Sequence, residues 1–403
     1  MSEVVADKNL IEEALTRAVQ QVYPSRETLE KELMSGRRLR IYLGVDPTGP
    51  HLHLGHLTNL LVLKRFQDLG HEVIFLIGDF TALIGDPTDK LSPRQPLTPE
   101  EIKENLKTFK KQAGRILKFS GENRVQVKFN SKWLAKMNFE ALAKLFSHFT
   151  VQQLIQRDMF QERLKENKPI SAQEFLYPLM QGYDSVAMDV DIEIGGTDQT
   201  FNMLVGRDLM KIYKNKEKFV LTTKLLENPK TGGKLMNKSE GGLINLDDEP
   251  NDIFGKVMAL DDNAIVPVAE FSTEMPLNEI ETLKAESESN PREAKLKVAK
   301  TVVKTIYSEK KAIKAGKNFV KVFSEKQKPE DIKAVKLNLQ RLPLVDLLVQ
   351  TNLALSKSEA RRLIEQGGVK IDDVKKTDPQ ETISLAEEIL IQVGPRRFLK
   401  VTS

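Results

Sequence analysis

Between residues 39 and 77 the chain sets out a strand, a turn-rich loop, a helix and a second strand within about forty residues. LRIYLGV (39–45) is a short apolar run of the kind a buried strand needs, and Val73–Ile77 in HEVIFLIGD is another. HLTNLLVLKRFQDLG, between them, carries Leu57, Leu60, Leu61 and Leu63 as an amphipathic helix would and stops at Gly70. Such a βαβ unit implies a parallel sheet with a ligand site beyond the strand C-termini. The loop DPTGPHLHLG (46–55) therefore falls where α/β sheets bind ligands.

The rest of the chain builds on this unit. Residues 99–180 read as mostly helical and interrupt the sheet, which resumes at VDIEIGG (190–196). Further helices follow from about 251 to 322. The stretch 292–316 reads as one helix, with Leu296, Ala299, Val303, Ile306 and Ile313 on one face and Lys297, Lys300, Lys304, Lys311 and Lys314 as a stripe beside it. Residues 291–328 hold twelve Lys or Arg against three Glu, so this region is locally basic although the net charge is only +4. SEKQKPED (324–331) reads as a polar linker. Beyond Pro343 come a short helix, a second helix with Ser356 and Glu359 as a capping box and Gly367–Gly368 as its stop, and short strands at VKIDD and ILIQVG. The expected fold class is α/β: a parallel-sheet domain over 1–232 with a helical insertion at about 99–185, a loop and linker at 233–250, a helical domain at 251–330 and a small α+β domain at 341–403.

Composition removes several classes. With 403 residues, 40% hydrophobic and 29% charged, the chain reads as an ordinary globular protein. It has no cysteine, which excludes disulfides, thiolate nucleophiles and cysteine-ligated zinc, and suits a reducing compartment. No stretch approaches the ~20 apolar residues of a membrane span, and MSEVVADKNLIEEALTRAV is too acidic and interrupted for a signal peptide.

Three of the five histidines, His51, His53 and His56, lie in the loop at the sheet edge. They allow three readings. Backbone groups could satisfy them. They could ligate a metal, with Asp46 as fourth ligand or orienting partner. Or His53 and His56, three apart at a helix start, could face a phosphate that the helix N-terminus favours. Other polar clusters weigh toward the nucleotide reading, because it gives them a shared purpose. Asp86, Lys90 and Arg94 follow the second strand; Tyr177, Gln181 and Asp184 share one helical face, which is costly without a partner; GGTDQ (195–199) follows a strand; and GGKLMNKSEGG (232–242) is a glycine-flanked basic loop.

Together these segments resemble the class I aminoacyl-tRNA synthetases, in their tyrosine-specific bacterial branch. HLGH (53–56) is similar to the family's HIGH motif, with Leu54 for Ile, and LMNKS (235–239) is similar to its KMSKS loop. GDP (85–87), the Tyr177/Gln181/Asp184 spacing and GGTDQ stand in the family's order, and the C-terminal piece resembles an S4 RNA-binding domain. The resemblance implies a Rossmann-like catalytic domain, an anticodon-binding helical domain, and a cytoplasmic homodimer formed through the helical insertion, with no membrane. It implies ATP as substrate with Mg²⁺ on the nucleotide, no resident metal, and L-tyrosine and tRNA(Tyr) as partners. Tyr42 and Asp184 would bind the tyrosine phenol; Asp86, Tyr177 and Gln181 would hold its ammonium, with Gln199 near the carboxylate. Thr48 and His53 would stabilise the γ-phosphate, with His56 and Asp198 near the ribose and adenine. Lys90, Arg94, Lys234 and Lys238 would clamp phosphates, and Gly44, Asp46, Gly55, Gly196 and Met236 would complete the ATP site, with His51 a bystander. The basic loop departs from the family: Leu235 stands where its first lysine belongs, with Lys234 one position earlier, and Asn237 replaces its first serine. Leu43 stands where many members place a small polar residue beside the ribose. The tryptophan-specific branch, a small nucleotidyltransferase and a non-enzymatic RNA-binding protein are the competing readings.

Overall fold

The computed structural model describes residues 3–88, 97–236, 242–323, 332, 334–337, 339–354, 356–394 and 397–402. They form two compact units, one of residues 1–249 and 256–308, the other of 250–255 and 309–403.

The first unit is organised by a six-stranded sheet. Its strands are β1 (Val19–Tyr23), β2 (Arg40–Val45), β3 (Glu72–Ile77), β4 (Gln126–Phe129), β5 (Ile192–Gly196) and β6 (Phe219–Thr223), in the order β1-β6-β5-β2-β3-β4. All neighbours are parallel except β1, which pairs antiparallel with β6. β3, β5 and β6 are buried almost throughout, as strands covered on both faces must be. Helix α1 (Leu54–Asp68) crosses from β2 to β3 and buries Leu57, Leu60, Leu61 and Leu63. The chain leaves β2 toward β3 on one side, while β5 lies on the other. The ends of β2 and β5 thus form the topological switch point at which such sheets bind ligands.

The stretch 99–180 is not purely helical. Gln126–Phe129 extends the sheet as β4, beside β3. At four residues it is too short to register a period of two against its helical surroundings.

Two helices back the switch point, α2 (Leu176–Met188) and α3 (Thr200–Lys214). They cross at Gly182 and Gly206, where a Cβ on Gly182 would stand 2.9 Å from Leu209 and Val205 and 3.1 Å from the Gly206 nitrogen. Only a residue without a side chain lets the two backbones approach this closely.

The basic stretch 292–316 is two helices, Pro291–Ile306 and Glu309–Phe323. The break falls at Tyr307, whose ψ of −82° is not helical. Its hydroxyl donates to the Asp248 carbonyl at 2.6 Å, and its ring stacks on the Arg115 guanidinium. The buried face of the first helix is Ala294, Val298, Ala299, Val302, Val303 and Ile306, while Ile313, on the second, is 42% exposed.

The second unit has its own core, with Leu344, Leu347, Leu348, Ile364, Val369 and Ile391 among its buried residues. Ile389–Val393 pairs antiparallel with Val369–Ile371 and Arg397–Thr402, and the last takes Ala334–Lys336 in parallel. Helix Lys357–Glu365 is capped by the Ser356 hydroxyl, which accepts from the Glu359 backbone. It ends at Gly367, whose φ of +66° few other residues would adopt.

Candidate active site

A cavity of about 360 Å³ opens at the C-terminal ends of β2 and β5. Tyr42, Gly44, Asp46 and Thr48 reach it from β2 and its loop, and His53, Gly55 and His56 from the start of α1. Asp86 comes from the segment after β3, Tyr177, Gln181 and Asp184 from α2, and Gly196, Asp198 and Gln199 from the turn after β5. Lys234 and Met236 come from the start of the basic loop. Every candidate residue among those described therefore lines one cavity. Lys90, Arg94 and Lys238, together with Asn237, lie outside the described residues. Leu43 and Leu235 are buried, and neither lines the cavity.

The histidines divide as their local geometry dictates. His53 is the N-cap of α1; its Nδ1 accepts from the Gly55 backbone at 3.2 Å. The His56 Nδ1 accepts from the His53 backbone at 3.1 Å, and the rings lie 4.0 Å apart. A nitrogen that accepts carries no proton, so each neutral ring holds its hydrogen on Nε2 and can offer it as a donor. Burial, with the Lys234 charge nearby, lowers the His53 pKa to about 4, and burial beside His53 holds His56 well below the usual imidazole value. Both rings are thus uncharged donors at neutral pH. His51 faces elsewhere and pairs with Asp247 at 2.8 Å, outside the cavity. Among the described residues no three His, Asp or Glu converge as metal ligands.

Acid should therefore weaken the fold. His53 and His71 have native pKa values of about 4, against 6.5 for a free imidazole. Between those values the unfolded chain binds protons that the native state refuses, so stability falls as pH drops through this window. The loss is roughly 3 kcal/mol per imidazole once complete. Comparing the melting temperatures of wild type and His53→Asn across pH 7 to 4.5 measures the His53 share. A difference that stays constant with pH would refute it.

The carboxylates are anchored by donors. Asp184 is 2% exposed; Oδ1 accepts from Trp133 Nε1 at 2.7 Å and Oδ2 from Asn130 Nδ2 at 3.2 Å. Burial raises its pKa well above the ordinary carboxylate value, and the donations from Trp133 and Asn130 oppose that rise. Asp46 accepts from Tyr177 at 2.9 Å and from Thr81 at 2.7 Å. Asp86 accepts from Gln199 at 2.7 Å, and Lys234 pairs with Asp198 at 2.6 Å. Trp133, Asn130, Ser185, Glu193, Asn202 and Lys218 were not legible as site residues. Asn130 and Trp133 follow β4, the strand that periodicity missed. Glu193 did leave a signal: it is the one charge in the apolar run of β5.

A parallel sheet with its switch-point cavity between a histidine-capped helix and a basic loop defines a nucleotide-dependent enzyme of the HIGH-motif type. The pattern of the family described as tRNA synthetases class I (W and Y) matches residues 34–324, and that of a tyrosine–tRNA ligase SYY-like C-terminal domain matches residues 325–392. The chain belongs to the class I tRNA synthetases of this W and Y family. It is 42% identical over 377 residues to the tyrosine–tRNA ligase of Aquifex aeolicus, covering 94% of this chain and 95% of that one. It is 42% identical over 392 residues to the tyrosine–tRNA ligase of Thermotoga maritima, covering 96% of each. A C-terminally truncated mitochondrial tyrosyl-tRNA synthetase from Coccidioides posadasii has a similar structure, with a TM-score of 0.62 at 25% identity over 77% of this chain and 90% of that one.

Proposed function

We propose that the protein is a tyrosine–tRNA ligase: it joins L-tyrosine to ATP as tyrosyl-adenylate, releasing pyrophosphate, and passes the tyrosyl group to the 3′-terminal adenosine of tRNA(Tyr). What carries the reading is a single cavity that holds both groups suited to a phenol, Tyr42 and Asp184, and donors suited to phosphate, His53, His56 and Lys234. An indole has no hydroxyl for the Asp184 carboxylate to accept, which favours tyrosine over tryptophan.

In the first step a tyrosine carboxylate oxygen attacks the α-phosphorus. The bond to the bridging oxygen breaks, and pyrophosphate leaves with the electron pair. The attacking group is already ionised, so no enzymic base is required. The step needs alignment, and donors aimed at developing phosphate charge. The Nε2–H groups of His53 and His56, the α1 N-terminus and Lys234 supply donors, with Thr48 beside them and Mg²⁺ arriving on the nucleotide. Asp46, Gly44, Gly55, Gly196, Asp198 and Met236 shape the ATP side, and Lys90, Arg94 and Lys238 add phosphate contacts. Tyr177, Asp86, Gln181 and Gln199 hold the amino-acid end. In the second step a ribose hydroxyl attacks the adenylate carbonyl carbon, and AMP leaves.

His53→Ala should slow adenylate formation by ~10²–10³, the usual effect of losing one preorganised donor, with little change in tyrosine affinity. Single-turnover kinetics with equilibrium tyrosine binding separates the two quantities. An unchanged rate would remove His53 from the phosphate site.

The helical domain at 251–330 is assigned to the anticodon arm and the 341–403 segment to S4-like backbone contacts. The protein is read as cytoplasmic; among the described residues no helix is long and apolar enough to cross a membrane. The helical insertion leaves Phe139 86% and Val151 66% exposed, which supports a homodimer through the insertion. Phe139→Asp should then shift the sedimenting species to monomer, and a wild-type monomer at micromolar concentration would refute the assignment.

A further inference from the structure

Beneath the amino-acid side of the cavity lies a charge pair outside the roles assigned above. Lys218 is fully buried and Glu193 is 2% exposed. The Lys218 ammonium donates to Glu193 Oε2, and also to the Met203 carbonyl at 3.0 Å. The other oxygen, Glu193 Oε1, accepts from Gln181 Nε2 at 3.0 Å. Gln181 Oε1 accepts from Asn202 Nδ2 at 3.0 Å, and the same nitrogen donates to Gln199 Oε1 at 2.9 Å. Gln199 Nε2 closes the chain on Asp86.

The direction of every bond in this chain follows from its ends. An ammonium only donates and a carboxylate only accepts. Gln181 must therefore turn its NH₂ toward Glu193 and its oxygen toward Asn202. Asn202 must turn its NH₂ toward both glutamines. Its own Oδ1 is buried and makes no hydrogen bond among the described residues. An amide serving local satisfaction would not strand its acceptor in this way, so the charges at the ends set its orientation. Gln181 lines the cavity, and this polarity leaves the second lone pair of its oxygen for a cation.

We propose that Glu193 and Lys218 form a positioning pair for amino-acid recognition, fixing the Gln181 amide from one end of a chain whose other end, Gln199, is held by Asp86, so that the cavity presents an acceptor to the α-ammonium of tyrosine. The proposal rests on the reading that Gln181 meets that ammonium. Lys218 supplies the charge that lets Glu193 stay buried, and Glu193 supplies the acceptor that orients Gln181.

The test compares two inhibitors of tyrosine-dependent pyrophosphate exchange: tyramine, which keeps the ammonium, and 3-(4-hydroxyphenyl)propanoate, which lacks it. In Glu193→Gln the lysine still claims an oxygen, so the new amide turns its NH₂ to Gln181 and two donors meet. Tyramine inhibition and the KM for tyrosine should weaken ~10–100-fold, the effect of misplacing a hydrogen bond to a charged group. The propanoate and the KM for ATP should hold. Two doubly neutral variants keep the question open to measurement if the single change fails to fold. Glu193→Gln/Lys218→Met frees the amide oxygen for Gln181 and should restore tyramine. Glu193→Leu/Lys218→Met offers no acceptor and should lose it. If both inhibitors weaken together, or both double variants behave alike, the pair only supports the fold and the proposal is overturned. Gln181→Ala is the reference: should it fail to separate the two inhibitors, the ammonium reading itself falls and takes the proposal with it.

Discussion

Asp184→Ala is expected to cost at least ~10² in kcat/KM for tyrosine activation, about 3 kcal/mol of transition-state stabilisation. The side chain sits at the inner end of the cavity with no water-facing surface to spare, and both of its oxygens already accept hydrogen bonds from Trp133 and Asn130. Its removal strands the Trp133 N–H, leaves Asn130 Nδ2 with only its bond to the Thr81 hydroxyl at 3.0 Å, and takes the acceptor from the phenol hydroxyl. The loss should fall on tyrosine and largely spare phenylalanine, which has no hydroxyl to pair. The preference between the two should collapse from the tyrosine side. Pyrophosphate exchange with each amino acid measures this directly. Near-normal exchange with tyrosine would show that the phenol is recognised elsewhere.

A chain ending at Phe323 is expected to keep tyrosine-dependent pyrophosphate exchange and to lose most tRNA charging. Every residue assigned to the first step lies before residue 243, and the buried residues of the C-terminal core fall within 342–401, with Val335 and Leu337 packed against them. Lys357, Arg361 and Arg362 lie on the capped helix, and such side chains suit an RNA backbone. Lys357 already pairs with Asp346 at 2.7 Å, so the two arginines should carry more of the contact. Affinity of the intact chain for tRNA should fall with salt as bound phosphates release counterions, and the shortened chain should show a shallower slope. Equal loss of both activities would mean that the segment supports the fold. Full charging would mean that it does not bind RNA.

The sequence revealed the site where its chemistry is local. His53 and His56 carry their geometry in a three-residue spacing at a helix start, and Tyr177, Gln181 and Asp184 in a helical repeat. The Tyr42 strand and α1 were legible because apolar runs and leucine spacing are strong, short-range signals. What stayed hidden is long-range. Trp133 and Asn130 reach Asp184 only because β4 joins the sheet edge, a pairing set by tertiary packing. Lys218 is one lysine among many in the sequence, and only the fold buries it against Glu193. The basic stretch 292–316 misled for the same reason: the period runs on through Tyr307, and it is a carbonyl near residue 248 that helps stop the helix.

The glycine crossing behind the cavity has a consequence for how recognition can fail. Tyr177, Gln181 and Asp184 ride on a single rigid rod, and its seat is the contact of Gly182 with Gly206. A methyl group on Gly182 meets backbone as well as side chains, so the rod itself must shift. All three groups would then leave register together, with no residue of the cavity altered. Errors in amino-acid choice can thus enter from a face that never sees substrate, and a survey confined to the lining would overlook their source.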